Sequence, residues 1–187
     1  MEPAKLLEIL HFAERLKDTT RHAYTTNGRH ESVAEHSWRI TLFAFFLRDE
    51  FPGVDMDKVI KMCLIHDLGE GFTGDIPSFA KSQTDSDRED DLLLRWVATL
   101  PEPYASEMTA LYTEMAALET AEAKVYKSLD KLEAVIQHNE SPLDTWIPLE
   151  YQLNLTYGDD IVSFSPYLTA LRREIRRETE EKLQQTP

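Results

Sequence analysis

The sequence predicts an all-α protein that folds as one helical bundle domain. Apolar residues recur at three- and four-residue intervals through most of the chain, as they do on the buried face of amphipathic helices. Glycine is scarce, with 6 residues, and most of the 9 prolines fall between the periodic segments, which is typical of helices joined by short loops. We expect a single domain over residues 1–187, with a core at about 6–137 and a helical extension at about 138–187.

The first part of the chain predicts three helices. Pro3 suits the first turn of a helix whose apolar positions keep helical spacing. Residues 18–31 lack this periodicity and contain an Asn-Gly pair, so they predict a loop. Ser32 and Glu35 form the pattern of a capping box, which begins a second helix directly after the serine. A third helix follows Asp55.

The remainder of the chain predicts a loop and four further helices. The third helix stops at the start of residues 69–82, which hold three glycines and a proline and predict a loop. One helix ends near Leu100, a second follows the two nearby prolines, and a long third one covers about 121–137. A final amphipathic helix starts near Pro166, and its charged end, 172–182, predicts a solvated face or a partner surface.

Charge and cysteine content narrow the classes of partner and compartment. The formal net charge is −14, from 34 acidic and 20 basic residues, which argues against polymeric nucleic acid and anionic membranes because both require a basic surface. No run of apolar residues is long enough to span a bilayer, so we expect no membrane association. The single cysteine, Cys63, and the lack of a secretory signal pattern predict a cytoplasmic protein.

Polar residues interrupt the buried faces of three predicted helices. His36 lies on the core-facing stripe of the second helix, and the pair His66-Asp67 follows an apolar run. Asp130 lies in the middle of the long helix. Taken singly, His36 is more often a core histidine bonded to a carbonyl, and Asp130 could pair with a neighbouring lysine. Together they indicate one divalent ion, because buried ionisable groups are costly unless they are paired or ligated.

A family resemblance is carried by three segments, which are Glu35-His36-Ser37, Leu64-Ile65-His66-Asp67-Leu68-Gly69-Glu70 and Leu129-Asp130-Lys131-Leu132-Glu133. In this order they resemble the HD-domain metal-dependent phosphohydrolases, and their spacing is most similar to the 5'-deoxynucleotidase branch. The resemblance runs from about Leu6 to Ile136. It implies an all-α HD-domain helical bundle, a cytosolic homodimer and hydrolysis of nucleoside 5'-monophosphates, in particular of deoxynucleotides.

The resemblance assigns a role to five polar residues. The four metal ligands of the family match His36, His66, Asp67 and Asp130. Its base toward the attacking water matches Glu70, which lies one helical turn beyond the His-Asp pair and can reach an ion without ligating it. A mixed nitrogen and oxygen ligand set suits Mn, Co, Fe or Zn better than Mg. We therefore expect one divalent metal ion per chain.

Three further positions resemble substrate contacts. Arg21 matches an arginine on the substrate phosphate, although an ordinary surface arginine would look the same in sequence. Asp75 falls where the family holds the sugar hydroxyl, or it simply forms a turn beside Gly74. The bacterial deoxynucleotidases place a tryptophan after the arginine, which disfavours ribose, whereas this chain has His22. The smaller and more polar imidazole predicts weaker selection against ribose.

Two alternative functions remain open from the sequence. An alarmone-type nucleotide pyrophosphohydrolase is one, although many of these enzymes carry an acidic residue after the motif glutamate and this chain has Gly71. A non-catalytic, metal-binding helical dimerisation protein is the other, and Glu70 weighs against it because a structural metal site needs no unligated carboxylate. The two-metal branches of the superfamily need additional histidines, and this chain has none between Asp67 and Gln137.

Overall fold

The structure is a computed structural model that describes residues 1–184, so the last part of the predicted extension, 185–187, lies outside the described residues. The helices are α1 Pro3–Glu14, α2 Val33–Phe46, α3 Met56–Ile65, α4 Glu70–Thr73, α5 Gln83–Val97, α6 Tyr104–Ala117, α7 Ala121–Glu140, α8 Glu150–Thr156 and α9 Pro166–Gln184. Single 3-10 turns cover Arg15–Lys17, Arg48–Glu50 and Leu143–Thr145. Strands β1 Thr20–Tyr24 and β2 His30–Ser32 form a small antiparallel hairpin.

Helices α2, α3 and α7 form the centre of the bundle. Their fully buried side chains include Ile40 from α2, Val59 and Met62 from α3, and Leu129 and Leu132 from α7. Burial of an aliphatic side chain of this size contributes about 1.5–3 kcal/mol, so these contacts fix the three helices relative to one another. The same three helices bear or directly precede the predicted metal ligands. The hydrophobic core therefore positions the site.

The predicted starts of α2 and α3 are confirmed. Ser32 Oγ accepts a hydrogen bond from the Glu35 backbone N–H at 3.2 Å, and Glu35 Oε2 accepts one from the Ser32 N–H at 2.9 Å, which completes the capping box. The Asp55 side chain accepts from the Lys58 N–H at 3.0 Å at the start of α3. Helix α3 ends at Ile65, earlier than predicted, and turns continue the chain into α4.

The loop predicted for residues 18–31 is wrong, because the segment forms the β-hairpin. Thr20 pairs with Ser32 and Tyr24 with His30, with an irregular register between them. The Asn27-Gly28 pair lies at the turn, where such pairs are favoured in hairpins. The strands are too short for an alternating pattern to stand out in the sequence, and β1 is held in place by packing against α7.

Two other expectations need correction. The loop predicted for residues 69–82 contains the short helix α4. The charged end of α9 is not solvated throughout, because Arg172 and Thr179 are buried. The Arg172 guanidinium donates to the carbonyl oxygens of Tyr157 at 3.0 Å and Asn154 at 2.9 Å, so it ties α9 to the end of α8. None of the described helices has the length and apolar character needed to cross a bilayer.

Candidate metal centre and substrate cavity

The four predicted metal ligands come together at one point, and we call them the ligand cluster. Its members are His36 on α2, His66 and Asp67 directly after α3, and Asp130 on α7. The His36 Nε2 atom lies 3.2 Å from His66 Nε2, 3.3 Å from Asp130 Oδ1 and 3.8 Å from Asp67 Oδ2. The His66 Nε2 atom lies 2.9 Å from Asp67 Oδ2 and 3.8 Å from Asp130 Oδ1. The fold thus brings together residues separated by up to 94 positions.

The hydrogen bonds of the two imidazoles direct a lone pair from each ring into the ligand cluster. His66 Nδ1 lies 3.0 Å from the carbonyl oxygen of Cys63, so this nitrogen carries the hydrogen and donates it. His36 Nδ1 lies 2.5 Å from Glu133 Oε2 and donates in the same way. In the neutral rings both Nε2 atoms are then acceptors. A tautomer fixed through Nδ1 in this manner is typical of metal-bound histidine.

The donor set fits a divalent transition-metal ion. Imidazole nitrogen and carboxylate oxygen bind such an ion at about 2.0–2.2 Å, which places neighbouring donor atoms roughly 3–3.5 Å apart. The observed separations run from 2.9 to 3.8 Å, and the donor atoms of His36, His66 and Asp67 all lie within 4.8 Å of one another. Burial acts to lower the pKa of His36, yet Glu133 and Asp130 raise it to about 9. The site therefore favours positive charge, which a divalent ion would supply.

Glu133 lies behind His36 and joins it to two arginines. Its Oε2 atom accepts from Arg21 Nη1 at 3.3 Å as well as from His36, and Arg39 Nε lies 3.6 Å from Oε1. Arg21 Nη1 also donates to Glu31 Oε2 at 3.0 Å. The donor atoms of Glu31, His36 and Glu133 are close enough to hold an ion as well. The Arg21 guanidinium already supplies the positive charge there.

Glu70 lies in the same cavity wall as Asp67, at the start of α4. The preceding Gly69 allows this placement, because a Cβ at that position would lie 2.7 Å from Glu89 Cγ. Glu70 is buried, and its Oε2 atom has no hydrogen-bond partner among the described residues. Burial, Asp67 and Asp75 raise its pKa to about 10. A buried carboxyl with one unpaired oxygen is suited to taking up a proton.

A cavity of about 210 Å³ opens beside the ligand cluster. One wall is a face of α7, on which Lys127, Asp130, Ala134 and His138 recur at intervals of three and four residues. The other walls come from the hairpin, from the segment between α4 and α5, and from α8. The cavity thus runs along α7 from the ligand cluster toward the C-terminal end of that helix.

All three predicted substrate residues, Arg21, His22 and Asp75, line this cavity. Burial acts to lower the pKa of Arg21, but Glu133 and other carboxylates raise it, so the guanidinium stays charged. Asp75 follows Gly74, whose φ of 79° favours glycine, and burial raises the pKa of the Asp75 carboxyl. These positions suit contacts with a substrate, and the individual roles stay predictions.

His22 belongs to a group of polar side chains near the C-terminal end of α7, which we call the far-end cluster. Its members are His22, His138, Glu150 and Asn154. Glu150 Oε1 lies 3.1 Å from His22 Nε2 and 3.3 Å from His138 Nε2. His138 Nδ1 lies 3.1 Å from Asn154 Oδ1. Within the described chain, His22 Nε2, Glu150 Oε1 and Asn154 Nδ2 are buried without an aligned hydrogen-bond partner.

Sequence reasoning left the pairing of Asp130 with a lysine open and missed two other residues of the cavity. Lys127 pairs with Asp130 Oδ2 at 2.7 Å, which is the lysine pairing that the sequence left open for this aspartate. The same aspartate also belongs to the ligand cluster through its other oxygen, so the two interpretations are compatible. Glu150 and Asn154 had no signal, because α8 is a short helix in a region without clear periodicity.

Comparison with known proteins agrees with this geometry. A sequence model of the HD domain matches residues 13–171. The chain belongs to the HD-domain family. The human protein named 5'-deoxynucleotidase HDDC2 is 30% identical to this HD-domain protein over 140 residues, covering 72% of this chain and 67% of the human one. The 5'-deoxynucleotidase hdd1 of Schizosaccharomyces pombe is 28% identical over 148 residues, covering 73% of this chain and 74% of the yeast protein.

A solved structure supports the same assignment. The crystal structure of a predicted metal-dependent phosphohydrolase from Magnetospirillum magnetotacticum is similar with a TM-score of 0.78 and 28% sequence identity, over 98% of this chain and 95% of that one. The predicted family, its helical fold and the class of metal-dependent phosphohydrolase are therefore confirmed. The division into a core and an extension, the cytoplasmic location and the homodimer stay predictions.

Proposed function

We propose that this HD-domain protein removes the phosphate from nucleoside 5'-monophosphates, and in particular from deoxynucleoside 5'-monophosphates. The observation that carries the proposal is the ligand cluster, in which two imidazole nitrogens and two carboxylates converge beside a cavity that also holds Glu70 and Arg21. The relatives named 5'-deoxynucleotidases support this class of substrate.

The ligand cluster would hold one divalent ion per chain. When bound, the ion supplies Lewis acidity, which lowers the pKa of a water molecule and offsets charge on a phosphate. The nitrogen and oxygen donors suit Mn, Co, Fe or Zn, and they suit Mg less because Mg prefers oxygen ligands. The second group of possible ligands, Glu31, His36 and Glu133, is neutralised by Arg21, which favours a single ion.

Glu70 is the proposed base toward the attacking water. Its raised pKa gives it a high affinity for the proton, but a base must first be ionised. The value of about 10 already includes the lowering effect of Arg21, so the further positive charge of a divalent ion in the ligand cluster would be needed to lower the pKa of Glu70 and leave the carboxylate ionised. The Glu70 carboxylate then takes a proton from the water as the water oxygen bonds to phosphorus and the bond from phosphorus to the 5'-oxygen breaks in line with it. The departing 5'-oxygen takes a proton from solvent to give the nucleoside hydroxyl.

Arg21 and Asp75 would orient the nucleotide. Glu31 and Glu133 fix the Arg21 guanidinium through Nη1, and Nε and Nη2 are the donors proposed for the phosphate oxygens. The Lys127 ammonium adds positive charge beside Asp130. The Asp75 carboxylate would accept a hydrogen bond from the free 3'-hydroxyl of the sugar, so a 3'-phosphate should be a poor substrate.

We propose that the protein is cytoplasmic and forms a homodimer. The outer face of α2 exposes Trp38, Leu42, Phe45 and Phe46, which recur at helical spacing, and α1 exposes Leu6, Leu7 and Leu10. Exposed apolar surface of this kind is typical of protein–protein contacts. Light scattering after size exclusion should give twice the chain mass, and Phe46→Glu should shift it to the chain mass. A monomeric parent would contradict the dimer without affecting the proposed reaction.

The proposed reaction is tested by phosphate release from nucleoside mono-, di- and triphosphates and an alarmone, with Mn or Co added. We expect activity on 5'-monophosphates, loss of activity after chelation, and recovery on re-addition of metal. Glu70→Gln should retain the metal and react at least about 100-fold more slowly, as expected for a lost general base. Release of pyrophosphate from the alarmone would favour the alternative hydrolase. A metal-loaded protein inactive on every substrate would favour the non-catalytic alternative.

A further inference from the structure

The hydrogen-bonding character of the far-end cluster follows from His138. Burial lowers the pKa of His138 below its usual value, so the ring is neutral at pH 7. Its Nδ1 atom donates to Asn154 Oδ1 at 3.1 Å, which leaves Nε2 as an acceptor. That acceptor lies 3.3 Å from Glu150 Oε1, which is also an acceptor. His22 Nε2 lies 3.1 Å from the same Glu150 oxygen, but neither atom has an aligned hydrogen bond. Glu150 Oε1 and His138 Nε2 therefore face each other as two acceptors without a hydrogen between them.

Asn154 adds a donor beside this pair of acceptors. Residues 150 and 154 are four positions apart on α8, so both side chains lie on one face of the helix, and both residues are almost fully buried. Asn154 Nδ2 has no acceptor within the part of the chain that the structure describes. Buried polar groups are paired in most proteins, and an unpaired group is destabilising. A ligand that carries two donor hydrogens next to an acceptor atom would give hydrogen-bond partners to the two acceptors and to the Asn154 donor.

We propose that the far-end cluster binds a nucleobase edge with an exocyclic amino group next to a ring-nitrogen acceptor, as in adenine and cytosine. The amino hydrogens donate to Glu150 Oε1 and His138 Nε2, and the ring nitrogen accepts from Asn154 Nδ2. This inference rests on the proposed function, because it requires a nucleotide to lie in the cavity with its phosphate at the ligand cluster.

Distance and charge favour a base over other parts of a substrate. Asp130 and His138 are eight residues apart on α7, which separates the two clusters by about 12 Å along the helix. A nucleotide needs a separation of this order between its phosphate and the edge of its base. The Glu150 carboxylate has no lysine or arginine partner among residues 1–184. Its negative charge would repel a phosphate group, so this end of the cavity does not suit a second phosphate of the substrate.

Aromatic side chains of the cavity are suited to the face of a base. Phe79 lies edge-on to the His22 ring, with centroids 5.7 Å apart, and Tyr157 lines the cavity on the α8 side. Aromatic rings stack on every kind of base, so stacking does not distinguish one base from another. The hydrogen bonds to the edge of the base must therefore provide the selectivity. A keto group in place of the amino group would direct an oxygen toward Glu150 Oε1 and disfavour binding.

The test measures binding of 2'-deoxyadenosine, which has an amino group beside a ring-nitrogen acceptor, and of 2'-deoxyinosine, which has a keto group beside a ring N–H. Titration calorimetry at pH 7 should show at least about 10-fold tighter binding of deoxyadenosine, since the keto compound leaves buried acceptors unpaired. Glu150→Gln and Asn154→Asp keep the shape of the side chain but exchange acceptor and donor. Each should weaken deoxyadenosine binding about 10-fold and reduce its preference over deoxyinosine.

Matched controls use the same chemical changes at exposed positions. Asn27→Asp and Glu119→Gln lie outside the cavity and should leave both affinities unchanged. Thermal unfolding of each variant shows whether it folds, and Asn154→Ala provides a second variant if the aspartate perturbs Glu150. Equal binding of the two nucleosides by the parent, or folded variants that keep its preference, would overturn the inference.

Nucleoside binding requires no hydrolysis, so the two proposals can fail separately. If the protein releases no phosphate from any nucleotide but prefers deoxyadenosine through Glu150 and Asn154, the proposed reaction is wrong and the base site stands. If it hydrolyses nucleotides but binds the two nucleosides equally, the reaction stands and the base site is wrong.

Discussion

Two buried glutamates near opposite ends of the cavity, Glu133 and Glu150, differ in the charge that surrounds them. Glu133 accepts from His36 and Arg21 and has Arg39 nearby, and together these cations hold its pKa below the usual value although burial acts in the opposite direction. Glu150 contacts two histidines and the backbone N–H of Ile147 at 2.8 Å, with no arginine or lysine among its described partners.

This difference indicates which end of the cavity is organised before a substrate binds. Around Glu133, the carboxylate accepts from His36 Nδ1 and fixes the orientation of that ring, so the ligand cluster is oriented by the protein itself, although Glu133 Oε1 and Glu70 Oε2 have no aligned hydrogen-bond partner among the described residues. Around Glu150, the acceptor Oε1 faces the acceptor His138 Nε2, and the donor Asn154 Nδ2 has no acceptor among the described residues. These hydrogen bonds are therefore completed only when a ligand binds. Preorganisation suits an ion and a reaction, and unpaired groups suit selection between similar ligands.

The largest expected effect tests whether metal binding is confined to one end of the cavity. Asp67→Ala removes a proposed ligand and should abolish both bound metal and phosphate release, because the three remaining ligands would bind the ion too weakly to retain it. Without the ion, nothing offsets the free-energy cost of burying those three ligands. Asp75→Ala should keep one ion per chain. Elemental analysis checks the prediction. Two ions per parent chain, or full activity after exhaustive chelation, would contradict the single ligand cluster.

A smaller effect is expected from removing the charge of each buried glutamate. Glu133→Gln should weaken metal affinity about 10–100-fold, because the carboxylate orients His36 and raises its basicity. Glu150→Gln should leave metal affinity unchanged, since its side chain contacts no member of the ligand cluster. Competition with a chelating dye measures both. Equal losses in the two variants would mean that the ends of the cavity do not act separately.

The His22→Trp variant tests whether the residue at position 22, in the far-end cluster, selects between deoxyribose and ribose. Imidazole is smaller than indole and can donate or accept a hydrogen bond, so the variant should increase the preference for deoxy over ribo 5'-monophosphates about 10-fold. The ratio of kcat/KM for matched pairs measures this preference. The variant should keep its bound metal. If the parent already rejects ribose as strongly as the variant does, position 22 does not select the sugar.

The smallest effect concerns the starts of two helices, α2, which carries the His36 partner of Glu133, and α8, which carries Glu150. Helix α2, which carries His36, begins with a capping box, whereas α8 begins without a side-chain cap. Hydrogen bonds from Arg29 lower the pKa of Glu35 to about 2. Because the unfolded value is about 4.3, this contribution to stability is present above that pH and is lost as the pH falls toward 2.

Glu35→Gln should therefore lower the free energy of unfolding at pH 7, by less than about 1 kcal/mol since both side chains are largely solvated. The difference between parent and variant should shrink as the pH falls from about 4.5 to about 2. Urea unfolding at several pH values measures it, with Glu119→Gln as the exposed control. A constant difference across this range would show that the ionised carboxylate does not stabilise α2.

The sequence by itself determined the helical class and the members of the ligand cluster. Helical periodicity and the Ser32–Glu35 cap are local properties, because their partners lie within four residues. His36, His66 and Asp130 stood out because charged or polar groups on apolar faces conflict with the local pattern. Such a conflict can be detected from one helix at a time, before the partners are known.

Only the tertiary structure decided the hairpin, the partners of Glu133 and the far-end cluster. Arg172 is charged and was expected on a solvated face or a partner surface, yet it is buried against α8, where the carbonyl oxygens of Asn154 and Tyr157 accept its hydrogen bonds. His22 and Glu150 are 128 positions apart, and nothing in the periodicity of either segment signals their contact. Whether a polar atom is paired depends on side chains from distant segments, so the unpaired atoms of the far-end cluster become visible only after the helices have packed.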